Sequence, residues 1–179
     1  AMSHTTRIPS VLTVVVGSIL LLHPVAAKSA AEREVYKEVI VPILRGKCYQ
    51  CHAEAADNPS GRKKIKAKLN LTTIDLIKKG GDEGPAAVAG DLEESIMIER
   101  IKLPHDDDDH MPPEDKPQLD EHELKVLEWW IKGSFPAGKS MKDAGAPDDI
   151  LAAAEKVPSD EEVKKALVKL FAAAEQNVV

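Results

Sequence analysis

The chain has 179 residues and a formal net charge of −6; 30% of its side chains are charged, 3% are aromatic, and two are cysteines. That acidity argues against nucleic acid as a partner, and two cysteines cannot staple a disulfide-rich fold. The length suffices for one modest domain plus an appendage, but so few aromatic rings leave a thin core unless another group helps to fill it.

Residues 1–27 read as a secretory signal peptide. Arg7 precedes an apolar run from Val11 to Leu22, followed by His23-Pro24 and the small-residue cleavage pattern Val25-Ala26-Ala27. The run is shorter than the ~20 residues a bilayer-crossing helix needs, so no membrane anchor is expected after cleavage. Ala1 ahead of Met2 reads as an artificial addition. Arg7 is the one charged side chain in this leader, so the mature chain is one unit more acidic than the whole.

Beyond the leader, apolar periodicity is helical throughout and no strand alternation stands out. Val35, Val39, Ile40, Ile43 and Leu44 recur at helical spacing, with Pro42 either kinking that helix or opening a second one. The element delivers Cys48-Tyr49-Gln50-Cys51-His52, the attachment pattern of a c-type haem. Two thiols at this spacing can each form a thioether with a haem vinyl group, and His52 follows where its imidazole can bind iron. A zinc site would need four ligands, and no second Cys-x-x-Cys or His pair completes one. A thioredoxin-type pair would follow a buried strand, and the residues before Cys48 do not read as one.

From Ala53 to Leu69 the chain is polar, with turn signals at Asn58-Pro59-Ser60-Gly61, and reads as a loop. Thr73 caps a short helix from Ile74 to Lys79, which Gly80-Gly81 end. Asp91 and Glu94 suggest a capping box that opens a helix carrying Leu92, Ile96, Ile98 and Ile101, closed near Pro104. Then comes His110-Met111-Pro112-Pro113. A thioether sulfur is a common sixth ligand in cytochromes c, and the two prolines stiffen the backbone that carries Met111. His110 and His105 compete with Met111 for that role, and Met97 and Met141 trail them. Asp120 with Glu123 forms a capping box, and Leu119 with Leu124 a hydrophobic staple, so the next helix has a well-marked start. It carries Leu127, Trp130 and Ile131 on one side, with Gly133 as a C-cap. Trp129 or Trp130 either shields a haem edge or packs as ordinary core.

These residues resemble a known family. Val39-x-x-Pro42-Ile43-Leu44, Cys48-Tyr49-x-Cys51-His52, Leu69-x-Leu71, Lys79-Gly80-Gly81, Gly90-Asp91-x-x-x-Ser95, Met111-Pro112-Pro113 and Leu127-x-x-Trp130-Ile131-x-x-Gly133 together are similar to the planctomycete-type cytochrome c domain, a divergent relative of class I cytochromes c. The resemblance spans about residues 32–135. It implies an all-α, small class I cytochrome c-like haem domain with one covalently attached haem c, Cys48 and Cys51 as attachment sites, and His52 and Met111 as axial iron ligands. The run Asp106 to Asp109 with flanking histidines departs from that pattern and keeps His110 open as an alternative. A calcium site in this run lacks the EF-hand spacing with its Gly and Glu.

The expected organisation is a signal peptide (1–27), a haem domain (28–136), a linker (137–147) and a C-terminal helical extension (148–179). In the extension, a short helix runs from Asp148 or Asp149 to about Lys156. Ser159 and Glu162 then cap a helix to about Glu175, whose stripe of Val163, Ala166, Leu167, Leu170, Phe171 and Ala174 must be buried, on the haem domain or on another subunit. The expected function is a monohaem c-type cytochrome that carries single electrons in a periplasmic or otherwise exported setting and is not itself an enzyme. Alternatives are a haem enzyme or sensor with an open sixth position, or a docking subunit of a larger redox complex. Redox proteins are the expected partners, and Arg62, Lys63, Lys64, Lys66 and Lys68 form a basic cluster that can steer an acidic one.

Overall fold

A computed structural model describes residues 28–176, and the expected leader lies outside them. Among the described residues the architecture is helical with isolated bridges and no strand: α1 (Val41–Lys47), α2 (Tyr49–His52), α3 (Ile74–Lys79), α4 (Ile96–Lys102), α5 (Glu121–Lys132), α6 (Asp148–Ala154) and α7 (Asp160–Gln176).

Pro42 shapes the entry to the site. Val35–Ile40 is a π-helical turn that continues into α1, with Pro42 in the first turn of the tighter helix. Proline has no N–H to give the carbonyl of Glu38, four residues earlier. The Arg33 guanidinium takes that carbonyl instead, with Nε at 3.0 Å, and also reaches the carbonyls of Ala154 and Val157 at 3.0 and 2.9 Å. The break in the first helix is thus satisfied by a side chain that also holds the end of α6.

α5 starts as its sequence predicts. Asp120 accepts from the N–H groups of His122 and Glu123, and Glu123 returns a bond to the Asp120 N–H. Its inner face buries Val126, Leu127, Trp130 and Ile131 against the π-helical turn, where Tyr36 stacks on Trp130 at 5.7 Å. The Trp130 indole N–H donates to the Pro136 carbonyl at 3.1 Å. At its end Gly133 is the C-cap, as expected, but with φ −78°; the left-handed residues are Ser134 and Phe135 just beyond it. Phe135 turns back onto Trp130, 4.7 Å away, and that packing holds a backbone conformation glycine usually occupies.

α4 begins later than expected. Asp91 accepts from the N–H groups of Glu93 and Glu94, but that bond closes a turn, not a helix. Ser95, fully buried, donates to the Asp91 carbonyl and accepts from the Val88 N–H at 2.9 Å, which holds residues 88–95 as a loop. The helix starts at Ile96.

The segment 137–147 is no free tether. Val35 N–H donates to the Lys139 carbonyl at 3.1 Å, Met141 N–H to Arg33 at 2.9 Å and Lys142 N–H to Ala31 at 3.1 Å, while Met141 is fully buried. α6 packs on α5, and α7 on α1. Asp160 pairs with Arg45 at 2.6 Å, and Val163 and Leu167 are buried in that contact. Ala166, Leu170 and Ala174 of the same stripe are exposed and Phe171 is half-buried, so the stripe is only partly covered.

Candidate functional site

The i, i+3, i+4 spacing of Cys48, Cys51 and His52 places all three on one face if the backbone is helical. It is: His52 N–H donates to the Cys48 carbonyl at 3.0 Å and Cys51 N–H to the same oxygen at 3.1 Å. All three side chains line one cavity of ≈ 660 Å³, within the ~300–1,000 Å³ range of cofactor sites. Its walls are apolar: Leu69 and Leu71 from the loop, Ala86, Ile96 and Ile101 from the α4 region, and Leu119 ahead of α5. The turn from Gly80 to Gly84 closes part of the rim; Gly80 has φ 73°, and a Cβ there would lie 1.6 Å from the Gly84 carbonyl oxygen. Glycine is required at that turn.

His52 has one ring nitrogen held and the other free. Its Nδ1 lies 3.3 Å from the Leu69 carbonyl, an acceptor, so the ring hydrogen sits on Nδ1 and the lone pair on Nε2. Burial lowers its pKa, against the opposing pull of backbone hydrogen bonds, and favours the neutral imidazole that binds metals. The cysteines are unbridged, and burial, with the Glu123 carboxylate adding to it, pushes the Cys48 thiol up to about 12. A nucleophilic redox thiol is tuned the opposite way.

On the α4 side, Met111, Pro112 and Pro113 line the same cavity. Met97 lines it as well, from the first turn of α4, whereas Met141 lies in the core and takes no part. His110 does not belong to the wall. Only 2% exposed, it places Nδ1 2.9 Å from the Leu103 carbonyl and Nε2 2.9 Å from Gln118 Oε1, so both ring nitrogens face acceptors away from the cavity. His105 is exposed and lies against the His110 ring at 4.7 Å. Trp129 and Trp130 are absent from the lining, and of the two readings open for them the core reading holds for Trp130, which is fully buried.

The charge clusters resolve differently. Asp106 to Asp109 form an exposed turn in which Asp107 accepts from the Asp109 N–H, and Asp109 pairs with Arg100 at 3.1 Å. Among the described residues no three His, Cys, Asp or Glu side chains gather as a metal-binding set. Arg62, Lys64 and Lys66 border the cavity, while Lys68 is paired with Asp82 at 2.6 Å.

Two residues of the site carry no sequence signal. Lys47 donates to the Gln118 carbonyl at 2.8 Å and pairs with the buried Glu123 at 3.0 Å. The Gln118 amide reaches the loop that carries Met111. Neither belongs to a spacing pattern; their roles arise from the meeting of three segments.

An apolar cavity with two free thiols, a tautomer-fixed imidazole and a thioether on its walls fits a covalently held haem. The family described as Planctomycete cytochrome C matches residues 48–115, the stretch that contributes most of the cavity, and supports a planctomycete-type cytochrome c domain there. That family implies haem c. No curated protein and no solved structure matches the chain significantly.

Proposed function

We propose, from the planctomycete-type cytochrome c domain that residues 48–115 support, that this chain is a monohaem c-type cytochrome acting as a one-electron carrier in an exported compartment. Bound haem would supply reversible one-electron exchange at iron. The observation that carries the reading is the convergence of Cys48, Cys51, His52 and Met111 on one cavity. Cys48 and Cys51 hold the group through thioethers, His52 offers Nε2, and Met111 offers sulfur from the Pro-stiffened loop. Leu69, through its carbonyl, keeps the imidazole in the right tautomer. The mostly apolar walls suit a porphyrin face, and a sulfur ligand at the sixth position favours electron exchange over binding of an outside ligand. The pattern of residues 1–27 supports export, where thioether-forming thiols and maturation enzymes meet.

The test is expression with a haem-maturation system. The product should gain the mass of one haem, keep its colour through acid-acetone extraction, and show in the ferric state the weak near-infrared sulfur-to-iron band. Met111→Ala should abolish that band while Met97→Leu leaves it. A wild type without the band that binds cyanide or carbon monoxide freely would instead establish an open-site haem enzyme or sensor. Extractable colour would end the cytochrome reading altogether.

A further inference from the structure

The loop that carries Met111 has few ways to be tied down. Met111 N–H donates to the Arg100 carbonyl at 3.1 Å, but Pro112 and Pro113 have no N–H, so only their carbonyls can anchor the backbone after the sulfur-bearing residue. Lys116 N–H donates to the Pro113 carbonyl at 2.8 Å, and one side chain reaches both carbonyls. Gln118 Nε2 donates to the Pro112 carbonyl at 3.0 Å and the Pro113 carbonyl at 2.9 Å, and it lies 2.9 Å from the Lys116 carbonyl as well. Three carbonyls accept and cannot donate, so the amide nitrogen must face them. Its oxygen then faces His110 Nε2 at 2.9 Å, and His110 Nδ1 lies 2.9 Å from the Leu103 carbonyl; both are acceptors, so a neutral His110 ring, with one N–H, donates to one of them at a time. The Gln118 main-chain carbonyl accepts from Lys47, the residue before Cys48.

A continuous path of hydrogen bonds therefore joins the segment bearing Cys48 and His52 to the loop bearing Met111, and Gln118 is its junction. We infer that Gln118 is a positioning residue that holds Met111 against the attachment segment and keeps the sixth position of the haem iron closed. This rests on the reading of Met111 as a ligand. Gln118 does not line the cavity; it acts through the two proline carbonyls.

The experiment compares holoprotein of wild type, Gln118→Glu, Gln118→Met and Met111→Ala, measuring covalent haem content, the near-infrared band and the rate of cyanide binding to ferric protein. Gln118→Glu keeps length and the acceptor for His110 but loses both amide hydrogens and sets a carboxylate against three carbonyls. Gln118→Met keeps bulk alone. Both should retain one covalent haem, weaken the band and bind cyanide about tenfold faster or more, since each lost bond adds to the population of open loop. Wild-type rate and band in Gln118→Glu overturn the inference. If both variants fail to mature, Lys47→Met, which leaves the amide in place, must also speed cyanide binding; a wild-type rate there overturns it too. Met111→Ala separates the two readings. If it opens the iron and Gln118→Glu does not, only the positioning role falls. If it binds cyanide no faster than wild type, the ligand assignment fails and the inference with it.

Discussion

The attachment segment and the Met111 loop face the same cavity, yet they are held by different means. Residues 48–52 form a turn of helix whose bonds close within five residues, so thiols and imidazole share a face by backbone geometry alone. The loop at 110–113 has only a turn bond at each end, His110 N–H to Asp107 and Lys116 N–H to Pro113. Its position depends on Arg100, Leu103, Lys47 and Gln118, contributed by α4, α1 and the run ahead of α5. One side of the cavity is built locally and resists distant change; the other is assembled from remote parts and should yield to it.

The largest break is expected on the local side. Cys48→Ala with Cys51→Ala should abolish covalent haem, read as loss of all colour on acid-acetone extraction and no mass gain. Met111→Ala comes next: one haem stays attached and the reduction potential falls, because a thioether ligand raises it. Redox titration beside a mass spectrum separates the two effects. Colour lost from Met111→Ala under extraction would show that the two sides are not independent.

Lys47→Met attacks the link between the sides. It leaves the Glu123 carboxylate, 4% exposed, without its cation, a change worth about 2–3 kcal/mol given that the Asp120 N–H still binds it. Urea unfolding reads this loss. An unchanged midpoint would mean that water solvates Glu123 in place of the cation.

A control lies in the C-terminal extension. Leu167→Ala should cost about 2–3 kcal/mol, because its side chain is buried near α1, and should leave the haem spectrum alone. Leu170→Ala, at a position 47% exposed, should stay within ~0.5 kcal/mol. Equal losses at the two positions would show that the exposed face at Leu170 is covered in solution. The smallest effect concerns the cavity border. Charge reversal at Lys63, Lys64 and Lys66 should slow oxidation of ferrous protein by hexacyanoferrate(III) several-fold at low ionic strength and hardly at all in high salt, where screening lengths shrink to ~3 Å. A rate indifferent to salt in the wild type would assign this cluster no part in approach to the cavity.

The α5 cap and the α3 cap at Thr73 were legible because their partners lie within three residues of one another. The start of α4 was not: Asp91 and Glu94 have the right spacing, but Ser95 engages Val88 and Asp91 and delays the helix. The choice between shielding and core for Trp130 was equally undecided, since Tyr36, Phe135 and the Pro136 carbonyl come from separate stretches.

The sequence by itself determined the helical class, the N-caps of α3 and α5 and the face shared by Cys48, Cys51 and His52, all set by contacts within a turn or two of chain, where spacing alone fixes direction. Tertiary structure decided that Met111 and Met97 reach the cavity wall while Met141 enters the core, that both His110 nitrogens face acceptors, and that an unmarked glutamine joins the two sides. Those outcomes depend on which distant groups chain closure brings within hydrogen-bonding reach, and no local spacing encodes that.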